Sequence, residues 1–290
     1  MHTTMLRLSV LFLFIIVTGC SNSAVDTIDK FDTPLSGIID FNDHDTGSGT
    51  LYTLDFANNT LTKLPFNGFG PERTPENTIL YAYLGINGGI SEIRIDSTPI
   101  PSTSIGGFNP RLSHDGKLVA SETSNNLTFV TERTTGKILY RSDSIFILAA
   151  SPSWTSDGNI IIMGATATQA GLFSISPNSK LFSYLGPGGL YPNVSADGTK
   201  ICYVKNHEHI FVSNIDGSGE IQLTDTASNY HHPCWSPNGK WIAAFAISAN
   251  PKLVPDKLLF IRVSDHSVVD ARKYFPTGSF GNFLYQLSWK

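Results

Sequence analysis

Short apolar runs recur along the chain, each reached through a proline and a polar turn. "ILYAYL", "LVAS", "IIIMG", "ICYV" and "WIAAF" follow "PERTPEN" at Pro71, "PRLSHDG" at Pro110, "PSWTSDG" at Pro152, "PNVSADG" at Pro192 and "PCWSPNG" at Pro233. The five prolines lie 39, 42, 40 and 41 residues apart. Intervals this even mark an internal repeat, which has to be recognised before any other element is assigned. Within one copy, "HHPCWSPNGKWIAAF", Pro237 suits the first central position of a type I turn and Gly239 the left-handed position after it. The β-forming flanks therefore predict two antiparallel strands, A and B, joined by a tight hairpin.

The residues between copies complete the unit. After "ICYVKNHE" comes "HIFVSNIDGSGEIQLTD", a third strand, a glycine turn and a short fourth strand. Four strands in about 40 to 45 residues are the sequence pattern of a propeller blade. Because a blade packs on both neighbours, its inner strands are expected to be apolar on both faces, as "IIIMG" and "WIAAFA" are. Before the first copy, "GIIDF", "TLYTLDF" and "TLTKLP" read as strands B, C and D of a blade that lacks strand A. At the other end "FLYQLSWK" reads as a strand A with nothing after it. The expected fold is all-β: a six-bladed β-propeller of four-stranded antiparallel blades, closed by the C-terminal strand joining the N-terminal blade.

"IQLTDTASNYHHPCWSPNGKWIAAF" resembles the repeat of TolB-type six-bladed propellers, with its Leu-Thr-Asp, its Pro-x-Trp-Ser-Pro-Asn-Gly and the apolar strand that follows. The resemblance covers most of the chain and weakens in the first third, where "PERTPEN" lacks the Asp-Gly. It implies the fold and says little about activity, because similar propellers occur in Tol-system periplasmic proteins, beside peptidase domains and in some polysaccharide lyases. TolB-type proteins carry an α/β domain ahead of the propeller, and residues 21–34 are too few to form one.

The first 20 residues hold one arginine, an apolar stretch over residues 8–17 and small residues before Cys20, the layout of a secretory signal. Val17-Thr18-Gly19-Cys20 resembles a bacterial lipobox, which implies cleavage before Cys20 and its acylation. Ser21 in the next position implies sorting to the outer membrane, with the protein facing the periplasm. The expected organisation is a lipoprotein signal peptide over 1–19, a lipidated cysteine and polar tether over 20–32, and a single propeller over 33–290. Net charge is −4 and only 15% of residues are charged, with no basic stripe, so nucleic acid is not an expected partner.

Candidate chemistry is sparse. There is no Gly-x-Ser-x-Gly elbow, His-Glu-x-x-His or Cys-x-x-Cys motif. His207 and His209 in the B–C loop region of the fifth blade, with His231 and His232 before strand A of the sixth, belong to segments that emerge on one face of the ring. With Glu208 they form the candidate site for a divalent metal, because imidazole and carboxylate suit zinc or manganese. Otherwise no cofactor is expected. Tyr191, Tyr230, His231 and His232, with the inserted loop over residues 248–257, form the candidate docking surface for an envelope protein or peptide. Trp154, Trp235 and Trp289 share one repeat position, which points to blade packing. Asp115, Asp157 and Asp197 occupy A–B turns, where turn formation accounts for them. Cys202 and Cys234 fall in neighbouring blades; a disulfide is open to them, and two buried thiols is the simpler reading. Three functional readings follow: a non-enzymatic docking module, a metal-dependent enzyme of the polysaccharide-lyase kind, and a small-ligand module using the central channel.

Overall fold

The structure, a computed structural model, describes residues 35–43, 49–83, 89–94, 107–206, 208–225, 229–246, 257–273 and 284–290. The described residues form 23 strands and one short 3-10 turn, Ala271–Lys273. They build a six-bladed propeller. Blade 1 joins the two ends of the chain: β23 (Leu284–Trp289), β1 (Ile38–Asp43), β2 (Thr50–Asp55) and β3 (Thr60–Asn67) lie side by side in that order. Blade 2 has three described strands, β4 (Phe69–Arg73), β5 (Thr78–Tyr83) and β6 (Gly89–Arg94). Blade 3 comprises β7 (Phe108–Leu112), β8 (Leu118–Glu122), β9 (Thr128–Glu132) and β10 (Ile138–Arg141). Blade 4 comprises β11 (Leu148–Trp154), β12 (Ile160–Ala165), β13 (Ala170–Ser176) and β14 (Leu181–Pro187). Blade 5 holds β15 (Leu190–Val194), β16 (Lys200–Lys205), β17 (His209–Asn214) and β18 (Ile221–Gln222). Blade 6 holds β19 (Tyr230–Trp235), β20 (Trp241–Ala246), β21 (Lys257–Arg262) and β22 (Val268–Asp270). The shared blade expected from the two incomplete ends is present, and β23 runs antiparallel to β1 from Asp43 to Ile39.

Inner strands are apolar on both faces because each face meets a different neighbour. In β20, Trp241, Ala243 and Phe245 enter the layer shared with blade 1, whereas Ile242, Ala244 and Ala246 enter the layer shared with blade 5. Every side chain of β20 is buried as a result. The layer between blades 6 and 1 is the most aromatic: Phe56, Phe260 and Trp289 stand with ring centroids 5.6 to 5.7 Å apart. Cys202 lies in the layer between blades 5 and 6 and Cys234 in the layer between blades 6 and 1; both are free, buried thiols.

The tryptophans pin blade to blade. Trp154 Nε1 donates to the Arg111 carbonyl at 2.8 Å and Trp235 Nε1 to the Asn193 carbonyl at 3.1 Å, each reaching strand A of the preceding blade. Trp289 instead donates to the Ser36 carbonyl at 2.7 Å, securing the chain just ahead of β1. The A–B turns close on themselves: Asp115 accepts from the Ser113 hydroxyl at 2.7 Å and Asp197 from that of Ser195 at 2.6 Å, and Thr155 bonds Asp157 in the same way. These bonds hold all three carboxyls below the ordinary aspartate value.

One backbone feature recurs in every blade. The residue before the repeat proline has positive φ: Gly70 (58°), Asn109 (53°), Ser151 (54°), Tyr191 (54°) and His232 (48°), with Gln286 (46°) in the same place of β23. At each, the pairing of strands A and B slips by a bulge. A left-handed non-glycine residue costs about 1–3 kcal/mol, so this conformation is maintained by the ring around it. Bulges re-aim side chains, and here the side chains they re-aim surround the channel.

Candidate functional site

Strands A stand innermost, so their bulges set what lines the axis. Asn109, Ser151, Tyr191, His232 and Gln286 form a neck about 20 Å³ in volume, with Glu122 reaching in from β8. That is room for about one water molecule. Two residues past each bulge comes a second ring: Glu72, Arg111, Ser153, Asn193, Cys234 and Ser288. Beyond it, on the side of the A–B turns, the channel widens into a cavity of about 250 Å³, where His114, Trp154, Trp235 and Lys290 join the wall. Arg111 lines both neck and cavity.

In the second ring, small polar groups tie neighbouring blades. Ser153 Oγ accepts the Val194 N–H at 2.9 Å, and Asn193 Oδ1 accepts the Trp235 N–H at 2.9 Å. Glu72 and Arg111 do something else. Lys290 Nζ donates to Glu72 Oε1 at 2.9 Å, while Arg111 Nη1 stands 3.7 Å from Glu72 Oε2, within ion-pair range but beyond hydrogen-bond length. Glu72 raises the Lys290 pKa. Lys290 occupies the place that Thr74, Ser113, Thr155, Ser195 and Ser236 hold in the other blades. The hydroxyls of Thr74, Ser113, Ser195 and Ser236 accept backbone N–H groups of the A–B turn.

In the neck, Glu122 Oε1 accepts from Asn109 Nδ2 at 3.1 Å and from the Ser151 N–H at 2.9 Å. Burial nonetheless pushes its carboxyl up. His232 is buried, with the Tyr191 ring 4.1 Å away and the His231 ring 6.2 Å away. Burial depresses its pKa well below the usual histidine value, and the positive charge of His231 and Arg111 adds to the effect.

The docking surface expected from sequence is only partly assembled. Tyr191 and His231 are half-buried at the start of strands A, with ring centroids 5.3 Å apart, and His231 lies 3.3 Å from Asn229 Oδ1. Tyr230, expected beside them on the surface, is instead buried in the core between blades 5 and 6. The alternation of β19 turns it inward, because its neighbour His231 faces out. Of the metal candidates, His209 lies in β17, with Nδ1 buried and without a hydrogen bond among the described residues, and His231 and His232 lie in β19. Among the described residues, no three His, Cys, Asp or Glu side chains come together as a metal group. His207, Cys20 and loop residues 248–256 lie outside the described residues.

Glu72, Arg111, Glu122 and Lys290 were not singled out by sequence reasoning. A signal was available: in the aligned repeats Glu72 and Arg111 are charged where the other copies have Ser, Asn or Cys.

No family model matches the chain, and no curated protein matches it as a relative. Solved structures do. TolB from Acinetobacter baumannii superposes with a TM-score of 0.69 at 18% identity, over 87% of this chain and 66% of that one, so the chain spans just under two thirds of that TolB. A putative TolB from Agrobacterium tumefaciens gives 0.61 at 16% identity, over 81% and 88%. An oligogalacturonate lyase in complex with manganese gives 0.53 at 11% identity, over 80% and 73%. The fold is thus that of a TolB-like propeller. It is one that lyases also use, and among the described residues no helix is long and apolar enough to cross a membrane.

Proposed function

We propose that the protein is a non-enzymatic docking module of the bacterial cell envelope, tied to the outer membrane by lipid on Cys20 and a tether over 20–32. Its propeller over 33–290 presents the channel and its rim to a segment of an envelope protein or peptide. The observation that carries this reading is the channel, open to a 250 Å³ cavity and lined by fixed charged and aromatic side chains in a TolB-like ring. Such a concave site, with a few polar groups on a rigid scaffold, suits recognition. Tyr191 and His231, half-buried at the opposite end of the strands A, provide rim contacts.

Two experiments test it. Photo-crosslinkers placed at Tyr191 and His231 in the anchored protein are expected to capture one envelope protein, whereas one at Leu181 on the outer edge is not. Equal capture from all three positions would count against the channel as the docking site. Cys20→Ala is expected to abolish incorporation of labelled fatty acid and release the chain from the membrane fraction. The lyase alternative makes the opposite prediction in metal analysis: one transition metal per chain, lost when His207 and His232 are both replaced.

A further inference from the structure

The Arg111 guanidinium is held in the channel with most of its hydrogen-bonding capacity unused. An arginine carries five N–H donors in a rigid fork. Among the described residues Arg111 gives one hydrogen bond, from Nη1 to the carbonyl of Pro110 at 3.0 Å. Its side chain is only 16% exposed, so bulk water does little to satisfy the rest. Glu72 stands in ion-pair range of Arg111, 3.7 Å from Nη1, but gives its close contact to Lys290 Nζ, and Glu122 Oε1 accepts from Asn109 Nδ2 and the Ser151 N–H. Among the described residues, the other arginines buried to a similar degree are each matched to a carboxylate at hydrogen-bond length. Arg73 meets Asp40 at 2.6 Å, Arg133 meets Glu76 at 3.1 Å and Arg262 meets Asp265 at 2.9 Å. Arg111 instead faces a cavity. The long ion pair with Glu72 leaves most of the fork's N–H donors without a hydrogen bond among the described residues, which is costly for a buried guanidinium, and an incoming carboxylate offers the planar, two-point match this fork prefers.

We propose that the cavity on the A–B turn side of the channel is a carboxylate-binding site, with Arg111 as the clamp and Lys290 as a second positive group. The rest of the wall says what carries the carboxylate. Leu112, Trp154, Val194 and Trp235 form the apolar part of a mixed wall, and an apolar body attached to the acid would pack against them. An apolar residue with a free carboxylate, as at the end of a peptide chain, fits both features. The inference shares the open channel with the proposed function. It requires neither lipid anchoring nor docking at Tyr191 and His231.

Titration calorimetry on the full chain in non-ionic detergent tests it, with N-acetyl-leucinate as the probe and N-acetyl-leucinamide and galacturonate as comparisons. The leucinate is expected to bind about tenfold or more tightly than its amide, as charge-assisted hydrogen bonds imply. Arg111→Gln is expected to abolish that preference and Arg111→Lys to keep part of it. Lys290→Gln keeps an amide donor near Glu72 while removing the charge and, in protein shown to be folded by its unfolding transition, is expected to weaken binding by a few-fold. Equal affinity for acid and amide, no measurable heat from either, or an Arg111→Gln protein that is folded and still prefers the acid would overturn the site. Tighter binding of galacturonate would overturn the assignment to a peptide. Envelope crosslinking is read separately, so failure here and failure of the docking module are distinguishable.

Discussion

His232 is buried, adopts a left-handed backbone conformation and packs its ring, tilted, against Tyr191, all at the neck of the channel. A histidine kept neutral by burial makes stability depend on pH with a definite sign. Its folded pKa is depressed, so its contribution is fully present above the ordinary histidine value near 6.5 and is lost as pH falls from there toward the folded value. Glu122 acts in the opposite sense: burial raises it, and its contribution is lost as pH rises through its folded value. The difference between the parent and His232→Asn isolates the histidine, because asparagine tolerates positive φ. Thermal unfolding between pH 7 and pH 5 is expected to show a shallower loss of Tm in the variant. Parallel curves would mean that His232 accepts a proton in the fold. A second residue-scale test concerns Asp40, whose carboxylate is gripped by Arg73 Nε and Nη2, both at 2.6 Å, and by the Thr53 hydroxyl at 2.6 Å. The pair is buried and joins blade 1 to blade 2. Arg73→Leu is expected to cost about 3–5 kcal/mol in denaturant titrations, because it strands a buried carboxylate, and Asp40→Asn added to it is expected to recover part of the loss.

At the scale of elements, ring closure depends on how closely the last strand approaches the first. Gly37 has φ of +89°, and a Cβ there would sit 2.2 Å from the Lys290 carbonyl oxygen, the atom that accepts the Ile38 N–H at 2.7 Å. Gly158, in an A–B turn, has φ of +84°, and a Cβ added to it would meet no atom within 4 Å. Gly158→Ala therefore carries only the cost of backbone conformation, roughly 1 kcal/mol, whereas Gly37→Ala also displaces backbone and is expected to cost about 3 kcal/mol. Unfolding midpoints of the two variants check the order. The repeat itself explains why strands were legible in the sequence. Strand A, its turn and strand B are local, so Pro152-Ser153-Trp154-Thr155-Ser156-Asp157-Gly158 shows its hairpin without reference to the rest of the chain. Tyr230 was not legible in this way: an aromatic residue at the edge of a repeat suits core and rim equally, and only its position in β19 sends it inward.

For the molecule as a whole, the shared blade makes folding depend on both ends of the chain. β23 supplies Leu287 and Trp289 to the aromatic layer between blades 6 and 1 and completes the ladder on β1. Removing residues 284–290 is expected to abolish the single cooperative transition, because blades 1 and 6 lose their common core at the same time as the closing strand. A truncated chain with an unchanged melting curve would show that the ring is held elsewhere.

The blade count, the shared blade and the packing role of the tryptophans were determined by sequence alone, because strand pairing and hairpin turns are written in contiguous residues and repeat at a nearly constant interval. The channel was decided only by the tertiary structure. Glu72, Arg111 and Lys290 come from blades 2, 3 and 1, separated by up to most of the chain, and they share one cavity only once the ring has closed. Whether a polar side chain points to the axis, to a neighbouring blade or to solvent depends on the bulge beside it, and that bulge is maintained by the packed ring.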